Sequence, residues 1–233
     1  MKTSIKLSAV VLLAAVASCR QSDDANRFPK AHRPVAAIVG DSFSTEDVRD
    51  RQGEFAKVVE LAGVTPGMSV ADVGSGEGYF AVRLSPIVGR RGRVLAEDIV
   101  PEVRERLAER IQRENLDNVA VTLGTPEDPR LPVRSFDRIF LVHMYHEVAS
   151  PYEFLWHLRD SLKPDGQVIV VDASRPTNRH GTPLSLLQCE FAAVGYKLLQ
   201  TAPVTEDGTY FASFSAVGDR PQPGAIKPCE PSK

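Results

Sequence analysis

The sequence predicts an α/β fold, a mostly parallel sheet covered by helices and completed by an antiparallel hairpin. Short apolar, β-branched runs alternate with amphipathic helical stretches from about residue 45 onward. The first run ends in a glycine-rich turn, Val70-Ala-Asp-Val-Gly-Ser-Gly-Glu-Gly-Tyr-Phe80, which leads straight into the apolar helical turn Ala81-Val-Arg-Leu84. The last two runs, Tyr196 to Thr201 and Tyr210 to Ala216, are joined around Asp207-Gly208 with no room for a crossover helix.

Each element follows from local pattern. Ser44 with Asp47 reads as a capping box, and Val48, Phe55, Val58, Val59 and Ala62 form the stripe of a helix running to Leu61. Pro66-Gly67 is a turn, and Met68 to Val73 is the first strand. Gly89 to Gly92 turns into the second strand, Arg93 to Asp98; Pro101 opens a charged helix to Glu114. Asn118 to Leu123 alternates as a third strand. Phe136 to Val142 is apolar enough to be central and buried on both faces. Pro151 to Leu162 is a helix ended by Lys163-Pro-Asp-Gly166, and Gln167 to Asp172 is a fifth strand. Thr182, as cap, and Pro183 open a last helix closed at Gly195.

The glycine turn carries the first chemistry. Gly74, Gly76 and Gly78 let the backbone take positive φ and let a ligand approach closely. The helix behind them offers free N–H groups and a positive dipole end. About twenty residues on, Glu97-Asp98 ends the second strand where a ribose-binding carboxylate sits in nucleoside sites. The spacing is G-x-G-x-G, one residue shorter than the dinucleotide G-x-G-x-x-G, which disfavours a nicotinamide oxidoreductase.

With this loop, and with Leu162-Lys-Pro-Asp-Gly-Gln-Val-Ile-Val-Val-Asp172, the chain resembles the class I S-adenosylmethionine-dependent methyltransferases from about Gly53 to Gly218. The resemblance implies a Rossmann-like, seven-stranded, mostly parallel sheet of order 3-2-1-4-5-7-6, with helices on both faces and S-adenosylmethionine as cofactor. It assigns Asp72, Gly74, Ser75, Gly76, Gly78 and Tyr79 to the methionine side and Asp98 to the ribose hydroxyls. Glu97 is expected on the opposite face from Asp98, because side chains alternate along a strand. At the third strand end many relatives carry an Asp for the adenine; here Gly124-Thr-Pro126 stands instead, and Pro126 has no N–H to donate. Thr125, Glu127 or the Asp128 amide is expected to substitute.

The fourth strand end, Leu141-Val-His-Met-Tyr-His-Glu147, is the most unusual segment. In the family this loop faces the methyl acceptor. It lacks the N/D-P-P-Y loop of amino-methyltransferases acting on adenine or glutamine, which disfavours those substrates. His143 is assigned to the cofactor side, and His146 with Glu147 to a catalytic base and its orienting carboxylate. A metal on His143, His146 and Glu147 is disfavoured, because H-x-x-H-E matches neither H-E-x-x-H nor H-x-x-E-H, and none is expected. Past the fifth strand, Arg175 and His180 lie in a loop suited to covering a substrate and are taken as acceptor-side contacts, with His180 counted as catalytic.

Composition and termini bound the rest. The 233 residues are 42% hydrophobic and 25% charged, with a formal net charge of −2, so there is no electrostatic footprint for nucleic acid. Residues 1–18 read as a signal peptide, with Lys2 and Lys6 before an apolar run from Leu7 to Ala17. Val16-Ala-Ser-Cys19 resembles a bacterial lipobox, which implies an exported protein held at the outer membrane, on its periplasmic side, by an acylated Cys19. Residues 19–42 read as a tether, 43–218 as the domain, and 219–233 as a disordered Pro-rich tail. Cys189 is expected to be buried and not bonded to Cys229. The functional expectation is methyl transfer to the oxygen, nitrogen or sulfur of a small molecule. The alternatives are a non-catalytic binding lipoprotein and a nicotinamide oxidoreductase.

Overall fold

A computed structural model describes residues 27–38, 45–206 and 208–230. Among these residues the chain runs α1 (Glu46–Arg51), α2 (Glu54–Ala62), β1 (Ser69–Val73), α3 (Tyr79–Val88), β2 (Arg93–Asp98), α4 (Pro101–Arg113), β3 (Val119–Leu123) and β4 (Phe136–Val142). It continues with α5 (Pro151–Asp160), β5 (Leu162–Ala173), α6 (Leu184–Ala193), β6 (Tyr196–Pro203) and β7 (Thr209–Ala216). The seven strands form one sheet in the order β3-β2-β1-β4-β5-β7-β6, as expected. β1 to β5 are parallel to one another, and β7 pairs antiparallel with both β5 and β6.

The period-2 alternation of the strands separates two cores. Val70, Phe140, Ile169, Val171 and Phe211 face α2, α3 and α4. Ala71, Ile139, Leu141, Val168, Val170 and Phe214 face the other way, against Leu155, Leu158, Leu187 and Phe191 of α5 and α6. Phe140, Ile139 and Leu141 are all fully buried, so β4 is covered on both faces.

Several local expectations are corrected. The leading helix is split in two: Gly53, at φ +69°, takes a left-handed conformation that α-helical backbone cannot continue through. The capping Ser44 lies outside the described residues. Lys163-Pro-Asp-Gly166 does not stand apart from the fifth strand; pairing passes from Phe136↔Leu162 to Arg138↔Gln167, and the four residues are accommodated as an irregularity inside β5. Thr182 does not cap α6, because its hydroxyl is donated to Asp172 Oδ2 at 2.8 Å.

The termini are corrected too. The tether was expected to span 19–42, yet its described part, 27–38, lies on the domain. Phe28 meets Trp156 edge to face at 5.5 Å, and the buried Arg33 donates from Nε to Glu190 Oε1 at 2.8 Å. The tail expected to be disordered is packed through residue 230. Trp156 Nε1 donates to the Pro221 carbonyl at 2.8 Å, the Arg220 guanidinium stacks on the Trp156 ring, and Ile226 is buried. Cys189 is joined to Cys229 by a disulfide, against the expectation of no bond. With the two cysteines 40 positions apart in sequence, the chain-entropy stabilisation is about 4 kcal/mol. Pro and polar residues marked these ends as extended, and tertiary docking supplied the order that local pattern does not encode. The proposed signal peptide and Cys19 lie outside the described residues; among the described ones no helix is long and apolar enough to cross a membrane.

Candidate functional site

A cavity of about 680 Å³ opens at the carboxyl ends of β1, β2 and β4, where open α/β sheets place their ligands. Two loops of different origin form its walls. One is the glycine loop, through Gly74, Ser75, Gly76 and Tyr79; the other is the loop after β4, through His143, Met144 and Glu147. They touch: a Cβ on Gly74, at φ +66°, would lie 2.9 Å from Met144 Cγ, so only glycine lets the two loops close together.

Asp98 organises the cofactor half. Its Oδ2 accepts the Gly76 N–H at 3.0 Å and its Oδ1 accepts the Val100 N–H at 2.9 Å, tying the glycine loop to the start of α4. Glu97 does not turn away as strand alternation predicted. It too lines the cavity, with Oε2 near the Gly74 N–H at 3.4 Å and Oε1 tight against Gly124, where a Cβ would stand 1.9 Å away. Strand phase was read correctly for β2, but the long Glu side chain curls round the strand end once Gly124 leaves space.

Asp72 is also corrected. It accepts the Ala81 N–H at 3.0 Å, capping α3 from beneath, and does not line the cavity; Gly78 is likewise behind the wall, as the N-cap of α3. Burial pushes the Asp72 carboxyl up to about 7, despite the Ala81 N–H. Burial, with the nearby Asp98, pushes Glu97 up to about 8. Both groups hold a proton in the fold that the unfolded chain releases from about pH 4 upward. Stability is therefore expected to fall as pH rises, from about 4 through about 8. Glu97→Gln, which cannot ionise, should lose part of that fall. Urea midpoints from pH 5 to 8.5 that decline equally in both proteins would refute this.

At the adenine end Thr125 and Pro126 line the cavity and Glu127 does not. Thr125 spends its polar groups locally: its N–H and hydroxyl both reach the Asp128 carbonyl, at 2.8 and 3.2 Å. Tyr79 donates to Asp50 Oδ1 at 2.8 Å and lies between the guanidinium groups of Arg49 and Arg83. His143 Nε2 is 3.2 Å from Glu54 Oε2. Burial alone would raise the Glu54 carboxyl, but His143 and Arg49 hold it below its usual range.

The acceptor half is arranged differently from the sequence expectation. His146 is fully buried, and its orienting carboxylate is Asp172 rather than Glu147. Nδ1 lies 3.0 and 3.2 Å from the two Asp172 oxygens. Asp172 also receives the Ala173 N–H and the Thr182 hydroxyl, both at 2.8 Å. His180 stands perpendicular to the His146 ring with centroids 5.4 Å apart, while Arg175 is exposed and off the cavity wall. Only Glu147 of the three expected catalytic residues lines the cavity. The loop is pinned from outside: Ala36 N–H donates to the His146 carbonyl at 3.2 Å, and Tyr145 donates to Glu190, the partner of Arg33. Sequence reasoning missed Arg33, Glu190 and Asp172 as supports of this loop. Asp172 alone left a signal, as an acid at a strand end.

A methyltransferase domain family matches residues 71–170, from inside β1 to the middle of β5. By this stretch, and by the relatives that follow, the chain is similar to the class I S-adenosylmethionine-dependent methyltransferases. It is 31% identical over 148 residues to a protein-L-isoaspartate O-methyltransferase of Pyrococcus horikoshii, covering 64% of this chain and 61% of that one. It is 30% identical over 125 residues to a ubiquinone/menaquinone biosynthesis C-methyltransferase of Pseudomonas entomophila, covering 52% of this chain and 48% of that one. The chain thus spans between about half and three fifths of the length of these curated relatives. A solved S-adenosylmethionine-dependent methyltransferase of Aquifex aeolicus shares the fold, with a TM-score of 0.66 at 23% identity over 75% of this chain and all of that one.

The residues of this cavity fit the cofactor S-adenosylmethionine. Ser75 Oγ is buried in the cavity wall with no hydrogen-bond partner among the described residues, an orphan that a ligand would satisfy. Above Gly76 a Cβ would meet nothing within 4 Å, so the backbone is open to close approach. Asp98 gives that wall a carboxylate, which suits a ligand that carries hydroxyl and cationic groups.

Proposed function

We propose that this methyltransferase moves a methyl group from S-adenosylmethionine to an oxygen, nitrogen or sulfur nucleophile of a small molecule bound in the same cavity. One observation carries the reading: the glycine loop with Asp98 and the loop from His143 to Glu147 line a single cavity. The cofactor, when bound, supplies an electrophilic methyl group. Ser75, Gly76 and Asp98 would hold it, with Thr125 and Pro126 at its far end and Tyr79 and His143 beside it. Glu147 is the ionisable group facing the acceptor, and His146 and His180 stand behind it, with Asp172 fixing the His146 ring. The enzyme's contribution is mainly to hold two reactants in line, which converts a bimolecular step into an effectively unimolecular one. The two curated relatives, named for O- and C-methylation, differ in acceptor, and neither acceptor is carried over.

We place this activity outside the cytoplasm, on the strength of the basic n-region, the apolar run and the Val16-Ala-Ser-Cys19 lipobox. Calorimetry with S-adenosylmethionine, followed by a methyl-transfer assay over phenols, amines and thiols, tests the reading. Binding with transfer to one class is expected. Binding without transfer to any class would favour a non-catalytic binding protein, and tight NADH binding in its place would favour an oxidoreductase. Recovery of the native protein in the soluble cytoplasmic fraction would remove the export assignment.

A further inference from the structure

Behind the acceptor wall the fold gathers three metal-ligating side chains that the sequence spacing did not. His146 and Glu147 come from the 3₁₀ turn Tyr145–Glu147 after β4, and His180 from the loop after β5. One ligand atom from each lies within 4.8 Å of the others. His143, the third member of the spacing considered from sequence, is not in this group; it is engaged with Glu54 on the cofactor side. We propose that His146, Glu147 and His180 form a binding site for a divalent transition ion of the zinc class. The inference does not depend on the methyl-transfer reading.

The donor set is the first reason. Two imidazoles and one carboxylate suit a borderline ion such as zinc, whereas hard ions such as magnesium prefer all-oxygen shells. Ligand atoms about 2.1 Å from a tetrahedral zinc stand about 3.4 Å apart, so the present spread closes with small side-chain rotations.

The support around the ligands is the second reason. A ligating histidine characteristically gives its other ring N–H to a carboxylate, which fixes the tautomer and orients the ring. His146 has that arrangement: Nδ1 meets Asp172, itself fully buried and held by Ala173 and Thr182, so Nε2 is the ring atom turned away from that carboxylate. His180 is positioned with similar care. It takes a left-handed conformation, φ +54°, and the next residue packs so closely that a Cβ on Gly181 would fall 2.4 Å from the Ala173 carbonyl. The Gly181 approach and the Thr182 bond to Asp172 attach the His180 loop to the same strand end that orients His146. Glu147, the one member that also lines the cavity, brings the site to the wall where the acceptor is proposed to bind.

The test needs neither cofactor nor acceptor. Full-length protein is stripped by a chelator, dialysed into metal-free buffer, and titrated with zinc sulfate by calorimetry, with bound zinc then measured by elemental analysis. One zinc per chain is expected, with a rise in Tm and no binding of magnesium at the same concentration. His180→Ala and Glu147→Gln, which remove ligands, should weaken binding by more than about 100-fold; Asp172→Asn, which only reorients His146, should weaken it by about 10–100-fold. Circular dichroism on each variant establishes that it is folded, and two independent ligand variants are used so that one failure to fold leaves the other. No zinc bound by the wild type would overturn the proposal. So would zinc binding unchanged in the folded His180→Ala or Glu147→Gln protein, since the ion would then sit elsewhere. Equal binding of magnesium and zinc would overturn the assignment to a transition ion.

Discussion

Asp172→Ala is expected to lower the stability of the protein by about 3–5 kcal/mol, since it strands three buried donors at about 1–3 kcal/mol each. Asp172 is fully buried and accepts from three directions: the His146 ring, the Ala173 N–H and the Thr182 hydroxyl. Alanine leaves all three donors without an acceptor in a place water cannot easily reach, and each unsatisfied donor costs desolvation energy it had already lost. The neighbouring Thr182→Ala should cost much less, about 1.5–3 kcal/mol, because it removes one bond to a charged group and leaves the histidine held. Urea unfolding with an unchanged m-value would measure both. An Asp172→Ala protein within about 1 kcal/mol of wild type would mean that the His146 ring is not held as described. The acceptor wall and the proposed metal site would then both lose their support.

Asp98→Ala is expected to weaken S-adenosylmethionine binding by at least about tenfold. A carboxylate accepting a ribose hydroxyl contributes about 1.5–3 kcal/mol per bond, and 1.4 kcal/mol is a factor of ten. The structure adds a second reason. Asp98 already accepts the Gly76 and Val100 N–H groups, so its loss releases the glycine loop as well as the ligand. The variant should therefore bind more slowly as well as more weakly, because the loop must be ordered at the moment of binding. Glu97→Ala removes a side chain that touches the same loop only at 3.4 Å and should have the smaller effect on affinity. Calorimetry giving the opposite order would transfer the ribose role to Glu97 and change the reading of the β2 end.

Much of this molecule is legible from local pattern. The strand runs, their alternation with helices and the terminal hairpin predict a parallel sheet with an antiparallel end, while the order of its strands was implied by the family resemblance and is the order found. The run Phe136 to Val142, apolar apart from Asp137 and Arg138, reads as a central strand, and it is one. The spacing Gly74, Gly76, Gly78 located one wall of the cavity before any coordinates, since glycines at strand ends mark where a backbone must pass close to something. The loop from His143 to Glu147 was assigned to the acceptor side by the family resemblance, and it lines the same cavity.

What local pattern does not contain is which partner each polar group takes once the chain has closed. Asp72 and Asp98 are equivalent in sequence, acids at strand ends beside the glycine loop, yet one caps α3 and the other faces the cavity. Glu147 is adjacent to His146 in the chain, but Asp172, brought in by β5 pairing with β4, is the carboxylate on its ring. His180 joins them by the same route. The ends of the chain make the point most plainly. Residues 27–38 and 219–230 have no periodicity and carry few large apolar groups, so nothing local holds them. They are ordered by Arg33 on Glu190, Arg220 on Trp156 and the Cys189–Cys229 bond, contacts between residues far apart in sequence. Elements follow from short-range sterics and hydrophobic period. Partners follow from the geometry of the closed sheet, because a buried donor takes whichever acceptor the fold has brought within reach.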